Sequence, residues 1–309
     1  MSLDKEAADF LARESGINPA FIEKDWHAVR VLQVISRHQS DGLRAVFSGG
    51  TSLSKGHALI KRFSEDLDFK IQFDGALGAS QLKGLRRSFR ASLLAALAEL
   101  EGVSFDDSAI TTTGLGFKLM LSYAREYDSP GGMRPNLQVD FSYSLPQRQP
   151  THRPIASLIA QYKSSPPETS IPCLSPIEIA ADKLCALSWR VIRRNREAKD
   201  DDPAMVRHLH DLSALYHLIE KDVEVMLSMS NAAFDLDQKM PGRRVDDTLL
   251  MAARRALSAI TSDPLYRKEY EAFVDAFSYA NDAETIHFDA AVESFGLVVE
   301  LLERAAAGQ

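Results

Sequence analysis

Phe47-Ser48-Gly49-Gly50-Thr51-Ser52-Leu53-Ser54-Lys55, followed by Arg62-Phe63-Ser64-Glu65-Asp66-Leu67-Asp68-Phe69, is the stretch on which the fold turns. Leu43, Ala45, Val46 and Phe47 form a short apolar run that stops at two glycines, so a buried strand ends there and the backbone can approach a ligand closely. The stretch 51–61 has no Pro and no Gly except Gly56, and its apolar positions Leu53, Ala58, Leu59 and Ile60 predict a helix. A strand, a glycine turn and a helix N-terminus together present unpaired backbone N–H groups and a positive dipole end, which suits phosphate oxygens.

The order Leu67, Asp68, Phe69, Lys70, Ile71, Gln72, Phe73 alternates strictly and predicts a strand with one buried apolar face. Asp66 and Asp68 share the other face. Paired carboxylates are hard oxygen ligands suited to Mg²⁺, which completes its shell from waters and substrate phosphates. Leu137, Val139 and Phe141 alternate with Gln138, Asp140 and Ser142, so Asp140 lies on the polar face of another strand, as the third carboxylate of a two-metal site requires. An isolated Gly-Gly turn is ordinarily just a turn, and an isolated Asp-x-Asp a solvated strand face. The ordered conjunction of strand, turn, helix, Asp-x-Asp strand and single-Asp strand is what a metal-dependent nucleotidyl transferase needs.

These blocks resemble the AbiEii/AbiGii toxin family of nucleotidyltransferases, within the DNA polymerase β-like superfamily. Ser175-Pro-Ile-Glu-Ile-Ala-Ala-Asp-Lys183-Leu-Cys-Ala-Leu-Ser-Trp-Arg190 is similar to the family's Lys-Leu-x-Ala-x-x-x-Arg motif, and Arg207-His-Leu-His-Asp211-Leu resembles the motif after it. There the family often has a Lys-Asp pair before the final Asp, where this chain has Arg207, His208 and His210. The matching blocks span residues 47–212 in register. The resemblance implies that Lys183 contacts the phosphates of the nucleotide and that Asp211 either orients Lys183 or accepts the proton of the attacking hydroxyl. It also implies a toxin of a toxin–antitoxin or phage-defence pair, with a cognate antitoxin and with the acceptor end of tRNA as target, so that translation is blocked.

The residues of those later blocks carry their own local signals. Ser175 as N-cap, Pro176 at the first helical position and Glu178 three residues after the Ser predict a capping box and a helix start. Ala180, Leu184, Leu187 and Val191 make its buried stripe, with Lys183, Arg190 and Arg194 on a neighbouring face. Asp211 borders the apolar face of a helix containing Leu209, Leu212, Leu215, Tyr216 and Ile219, as a surface carboxylate or an ion-pair partner of Arg207.

Composition bounds the rest. With 309 residues, 45% hydrophobic and 26% charged, the chain has ample material for a globular core. No apolar run approaches the roughly 20 residues that span a membrane, the amino terminus lacks a leader pattern, and the expectation is a cytoplasmic protein. Cys173 and Cys185 are the only two cysteines and lack zinc or redox spacing. A net charge of −7 argues against indiscriminate nucleic-acid binding, but Arg190, Arg193, Arg194, Arg196 and Lys199 form one basic run and Lys83, Arg86, Arg87 and Arg90 another. They are either ordinary solvated helix faces or a basic surface for a structured RNA end.

Two helices are expected within 1–40, then strands near 44–48, 66–73, 115–123 and 136–144, with a helix near 80–100. Turns fall at 130–132 and 240–242, and 146–167, rich in Pro, Gln and Ser, marks a passage between lobes. The fold class is α+β: a nucleotidyltransferase-type mixed β-sheet with flanking helices over 1–165, followed by a C-terminal helical bundle over 166–309. The expected activity is transfer of a nucleotide from an NTP to an acceptor hydroxyl with release of pyrophosphate. Two Mg²⁺ ions are held by Asp66, Asp68 and Asp140, the phosphates by Gly49, Gly50, Thr51 and Ser52 with Lys55 and Lys183. The acceptor is the 3′ end of tRNA, or alternatively a small molecule or a protein hydroxyl.

Overall fold

The computed structural model describes residues 2–40, 42–73, 77–130, 132–240 and 242–308, and the chain divides into two units, Met1–Ala58 with Phe63–Leu174 and Leu59–Arg62 with Ser175–Gln309. The first unit begins with α1 (Lys5–Ser15) and α2 (Pro19–Arg37), capped by the side chains of Asp4 and Asn18. There follow β1 (Gln39–Ser40), β2 (Leu43–Ser48), α3 (Gly49–Thr51), β3 (Asp66–Phe73), α4 (Ala79–Ala98), β4 (Val103–Ser104), β5 (Thr111–Thr113), β6 (Gly116–Tyr123), β7 (Leu137–Ser142), β8 (Thr151–Ile155), α5 (Leu158–Tyr162) and β9 (Thr169–Cys173). Among the described residues the strands form one mixed sheet in the order β4-β6-β7-β3-β2-β9-β8, with β1 beside β2 and β5 beside β6. β3 runs antiparallel to β2 and parallel to β7, and β7 antiparallel to β6.

Alternation sets the faces. Ala45 and Phe47, Leu67, Phe69 and Ile71, Leu137, Val139 and Phe141, and Phe117, Leu119 and Leu121 point to one side and pack with Val29, Leu32 and Ile35 of α2 and Phe89, Leu93 and Leu97 of α4. One cross-strand row is entirely phenylalanine: Phe47 opposes Phe69, Phe69 opposes Phe141, and Phe141 opposes Phe117. Ring centroids along it lie 5.3, 4.9 and 4.5 Å apart. Each such aromatic pair contributes about 0.5–1.5 kcal/mol beyond its buried area. Because a one-residue slip would turn this row to the polar side, the row fixes the register of the strands that carry the aspartates.

Three local expectations fail here, each for a visible reason. The helix expected over 51–61 is only α3 continued by a π-helical turn over Ser52–Gly56, because Ala58 takes a left-handed φ of 53° that no helix can contain. The segment 146–167 is not a passage between lobes but contains β8 and α5, which lead into β9. β8 is an edge strand exposed at four of five positions, so it lacks alternation, and its Pro154 is tolerated at the edge. The capping box also does not form, since the Ser175 side chain makes no capping bond and Glu178 is fully buried. Of the two expected turns, Gly131 and Pro241 lie outside the described residues.

The second unit is helical: α6 (Pro176–Arg193), α7 (Arg207–Ala214), α8 (Tyr216–Lys221), α9 (Val223–Gln238), α10 (Leu249–Ser262), α11 (Pro264–Phe277) and α12 (Phe288–Ala307). α6 packs on α9 and α10, and α12 on α7 and α10. The stripe Ala180, Leu184, Leu187 and Val191 is buried as its spacing requires. The segment Leu59–Arg62 joins this bundle, with the Tyr279 N–H donating to the Lys61 carbonyl at 3.0 Å. No helix among the described residues is long and apolar enough to cross a membrane, and Cys173 and Cys185 are free and buried.

Candidate functional site

On the polar face of the sheet, one position along from the phenylalanine row, Ser48 opposes Asp68, Asp68 opposes Asp140, and Asp140 opposes Lys118. Asp66, two residues before Asp68, opposes Gln138 and shares this face. Neighbouring strands are about 4.8 Å apart, so Asp68 and Asp140 stand side by side. The glycine turn closes one end of the row. Gly49 has φ +72°, and a Cβ built there would lie 2.0 Å from Asp68 Oδ2. Only glycine lets the Asp68 carboxylate rest on the turn.

Thr51 and Ser52, expected among the residues that cradle phosphate, are buried at 3% and 0% exposure. The Thr51 hydroxyl instead donates to the Asp66 carbonyl at 2.5 Å, tying the turn to the start of β3. Thr51→Val is expected to cost about 1–2 kcal/mol, the scale of a hydrogen bond lost with a buried acceptor left unpaired. A denaturant midpoint lowered without change in slope would register that loss; an unchanged midpoint would show that the tie contributes nothing. Lys55 forms an ion pair with Asp25 of α2 and reaches the Ala156 carbonyl at 3.3 Å.

The aspartates have basic neighbours that were not foreseen. Arg134 donates to Asp66 Oδ1 at 2.6 Å and to Gln138 Oε1 at 2.9 Å, and Gln138 donates to Asp140 Oδ2 at 2.6 Å. Lys118 stands 3.4 Å from Asp140. Glu65 accepts from Lys24 at 2.6 Å and from the Arg134 backbone N–H at 2.7 Å. Lys118 and Gln138 were readable from strand alternation, since they share the aspartate face; Arg134 lies in a loop with no periodicity to mark it. Burial pushes the Asp140 carboxyl up, against the Gln138 hydrogen bond and the Lys118 charge. Burial pulls the Lys24 ammonium down despite Glu65. For Arg134 burial also acts downward, but the charges of Asp66 and Glu65 prevail and hold the guanidinium above its usual range.

Among the described residues no three His, Cys, Asp or Glu side chains converge closely enough to hold an ion between them. Asp66 is turned to Arg134, and Asp140 to Gln138 and Lys118. The donor chemistry nonetheless fits Mg²⁺: hard carboxylate oxygens in adjacent register, with a glycine turn against one of them.

Lys183 and Asp211 belong to the second unit, where they form an ion pair of 2.5 Å. Asp211, at 0% exposure, also accepts from Arg62 Nε at 2.7 Å and Nη2 at 2.6 Å. Its ion-pair partners are therefore Lys183 and Arg62; Arg207 pairs with Asp202 at 2.9 Å. Burial alone would raise the Asp211 carboxyl, but the Arg62 and Lys183 charges hold it well below its ordinary value. Burial lowers the Lys183 ammonium, opposed by Asp211. Two buried cations thus share the Asp211 carboxylate. Arg62 stands in the quoted sequence block, yet nothing in its spacing names a partner 149 residues away.

Three residues of the basic run that starts at Arg190 are ion-paired within their own unit. Arg190 pairs with Asp202 at 3.3 Å, Arg194 with Asp201 at 2.8 Å and Glu269 at 2.6 Å, and Arg196 with Asp263 at 2.8 Å. On α4, Arg90 donates to Thr112 at 2.7 Å and Arg86 lies over the Tyr143 ring at 4.2 Å.

Comparison with known proteins follows the same lines. A search of curated proteins returns no match. Among solved structures, MenT4, a nucleotidyltransferase toxin from Mycobacterium tuberculosis, is similar at 19% identity and a TM-score of 0.55, covering 96% of this chain and 98% of that one, which shows a shared fold. CdnC from E. coli with ATP matches at 13% identity and a TM-score of 0.28, covering 98% of this chain and 89% of that one. The family described as nucleotidyl transferase AbiEii toxin, type IV TA system, matches residues 30–294. The chain is therefore an enzyme of the nucleotidyltransferase type and belongs to the AbiEii family of type IV toxin–antitoxin toxins.

Proposed function

We propose that this toxin transfers a nucleotide from an Mg²⁺-bound NTP to the 3′-terminal hydroxyl of tRNA, and so blocks translation in the cytoplasm until a cognate antitoxin restrains it, in phage defence or a related response. The observation that carries the reading is the register row Ser48, Asp68, Asp140 closed by Gly49. Asp66, Asp68 and Asp140 hold the metal, two ions in this reading. Bound Mg²⁺ supplies charge to the leaving pyrophosphate and acidity to the attacking hydroxyl.

The chain's own groups do the rest. The acceptor oxygen bonds to the α-phosphorus, the α–β bridging P–O bond breaks, and pyrophosphate leaves with the electron pair. The hydroxyl proton passes to a carboxylate oxygen of the row. Asp140 suits that role because it stands in register beside Asp68 on the same face. Asp211, fully buried and held well below its ordinary value, is a poor base, so of its two expected roles positioning of Lys183 is the one supported. Backbone N–H groups of the turn at Gly49 and Gly50 cradle phosphate, with Lys55 as a point charge; Thr51 and Ser52, whose hydroxyls are buried, contribute through their backbone alone.

A second acceptor class, a small-molecule or protein hydroxyl, is favoured by one observation: the basic run that suggested an RNA surface is ion-paired with Asp201, Asp202, Asp263 and Glu269. Incubation with total tRNA, each labelled NTP and Mg²⁺ separates the two. Label on tRNA is expected. Label confined to small molecules or protein supports the second class, and retained full transfer by Asp66→Ala or Lys183→Ala removes the corresponding assignment.

A further inference from the structure

Four carboxylates, Glu65, Asp66, Asp68 and Asp140, crowd the start of β3 and its neighbour β7, and crowded carboxylates repel unless cations stand among them. Lys118 of β6 meets Asp140, and two further cations from outside these strands, Lys24 and Arg134, meet Glu65 and Asp66 and are held differently. Lys24 is 5% exposed and its ammonium is bound by both Glu65 and the Arg134 carbonyl, at 2.6 and 2.8 Å. Arg134 has a fixed backbone and a partly exposed head, which pairs with Asp66 and, at 3.6 Å, with Glu65. Its N–H is held by Glu65 and its C=O by Lys24, while its guanidinium is 40% exposed and lies 2.6 Å from Asp66.

Magnitudes decide which of these can give way. A buried pair such as Lys24–Glu65 is broken only at a large cost, because it leaves an uncompensated charge. A half-exposed pair is weak, and water replaces the lost partner. The Arg134 head is therefore the displaceable one. It also bonds Gln138, which bonds Asp140, so one guanidinium fixes the orientation of two carboxylates of the row.

We propose that Arg134 is an internal counter-cation, holding Asp66 in the place of a divalent ion and yielding it when the ion arrives. The proposal rests on the reading that the aspartate row binds metal. It makes Arg134 a positioning residue that keeps the row assembled without metal and competes with the ion for it.

The test uses the full-length protein and Mn²⁺ alone, without nucleotide, titrated by calorimetry and electron paramagnetic resonance. Arg134→Gln is expected to bind Mn²⁺ roughly fivefold more tightly than the parent, the scale of a partly exposed ion pair. The same variant is expected to melt at a lower temperature than the parent in EDTA and to recover in Mn²⁺, which a merely structural residue would not do. Arg134→Lys keeps the charge and is expected to match the parent; tighter binding in Arg134→Lys overturns the proposal, and does so even if the Gln variant fails to fold. Equal or weaker Mn²⁺ affinity in Arg134→Gln, with binding lost in Asp68→Asn, overturns this proposal and leaves the metal reading standing. No Mn²⁺ on any form, or binding indifferent to Asp68→Asn, overturns both.

Discussion

Alanine at Gly49 is expected to lower the rate of nucleotide transfer by at least about 10²-fold, the scale of a reacting group misplaced by 1 Å. The added Cβ meets Asp68 at 2.0 Å from Oδ2, 2.9 Å from Cγ and 3.0 Å from Cβ, so the carboxylate must leave its place in the row. At φ +72° an L side chain also carries a backbone penalty of about 1–2 kcal/mol, which in a chain of this size lowers the melting temperature by several degrees. The two effects are separable. Incorporation of labelled NTP reports the first and a melting curve the second, and a variant that melts lower yet transfers at the parent rate would remove Asp68 from the reacting site.

The second large effect is on stability. Asp211→Ala removes the carboxylate that Arg62 and Lys183 share at a fully buried point and leaves their charges less compensated. Removing one partner from a buried pair costs about 3–5 kcal/mol, and a drop of about 5–8 °C in melting temperature follows for a protein of this length. Differential scanning calorimetry checks this, and a loss below about 1 kcal/mol, the surface-pair scale, would show the cluster to be solvated. The pH dependence has a definite sign. Because the folded carboxyl titrates well below its ordinary value of 3.8, its contribution is fully present above that value and is lost as pH falls through the depressed folded value. The stability gap between parent and Asp211→Ala is therefore expected to be constant above about pH 5 and to narrow below pH 3.8.

What was legible in the sequence was whatever a short period could encode. Alternation in 67–73 and 137–141 gave the strands, their buried faces and the shared polar face of Asp66, Asp68 and Asp140, because period 2 in a half-buried strand leaves little freedom. The motif blocks gave the family that the profile match over 30–294 shows. Illegible parts have physical causes of other kinds. β8 is exposed nearly throughout and so carries no apolar signal. The helix after Gly50 stops at a backbone angle of Ala58 that the residue type does not announce. Arg134, Lys24 and Arg62 act through charges that meet across 68, 41 and 149 residues of chain, distances no local pattern spans. The basic run, left open between a solvated face and an RNA surface, has acidic partners from two sources. Asp201 and Asp202 stood nearby in the sequence, but Glu269 inside α11 and Asp263 at its N-cap came from far along the chain.

The row of phenylalanines beneath the aspartates also sets how this toxin can be disarmed. Phe47, Phe69, Phe141 and Phe117 sit directly beside Ser48, Asp68, Asp140 and Lys118, each ring one residue from its polar neighbour. A lineage under pressure to silence the protein therefore has no need to alter a polar group. One ring lost from the interior loosens the alignment that brings the carboxylates together. The mutational target for escape from the toxin is the hydrophobic side of the sheet as much as the polar side that carries the aspartates.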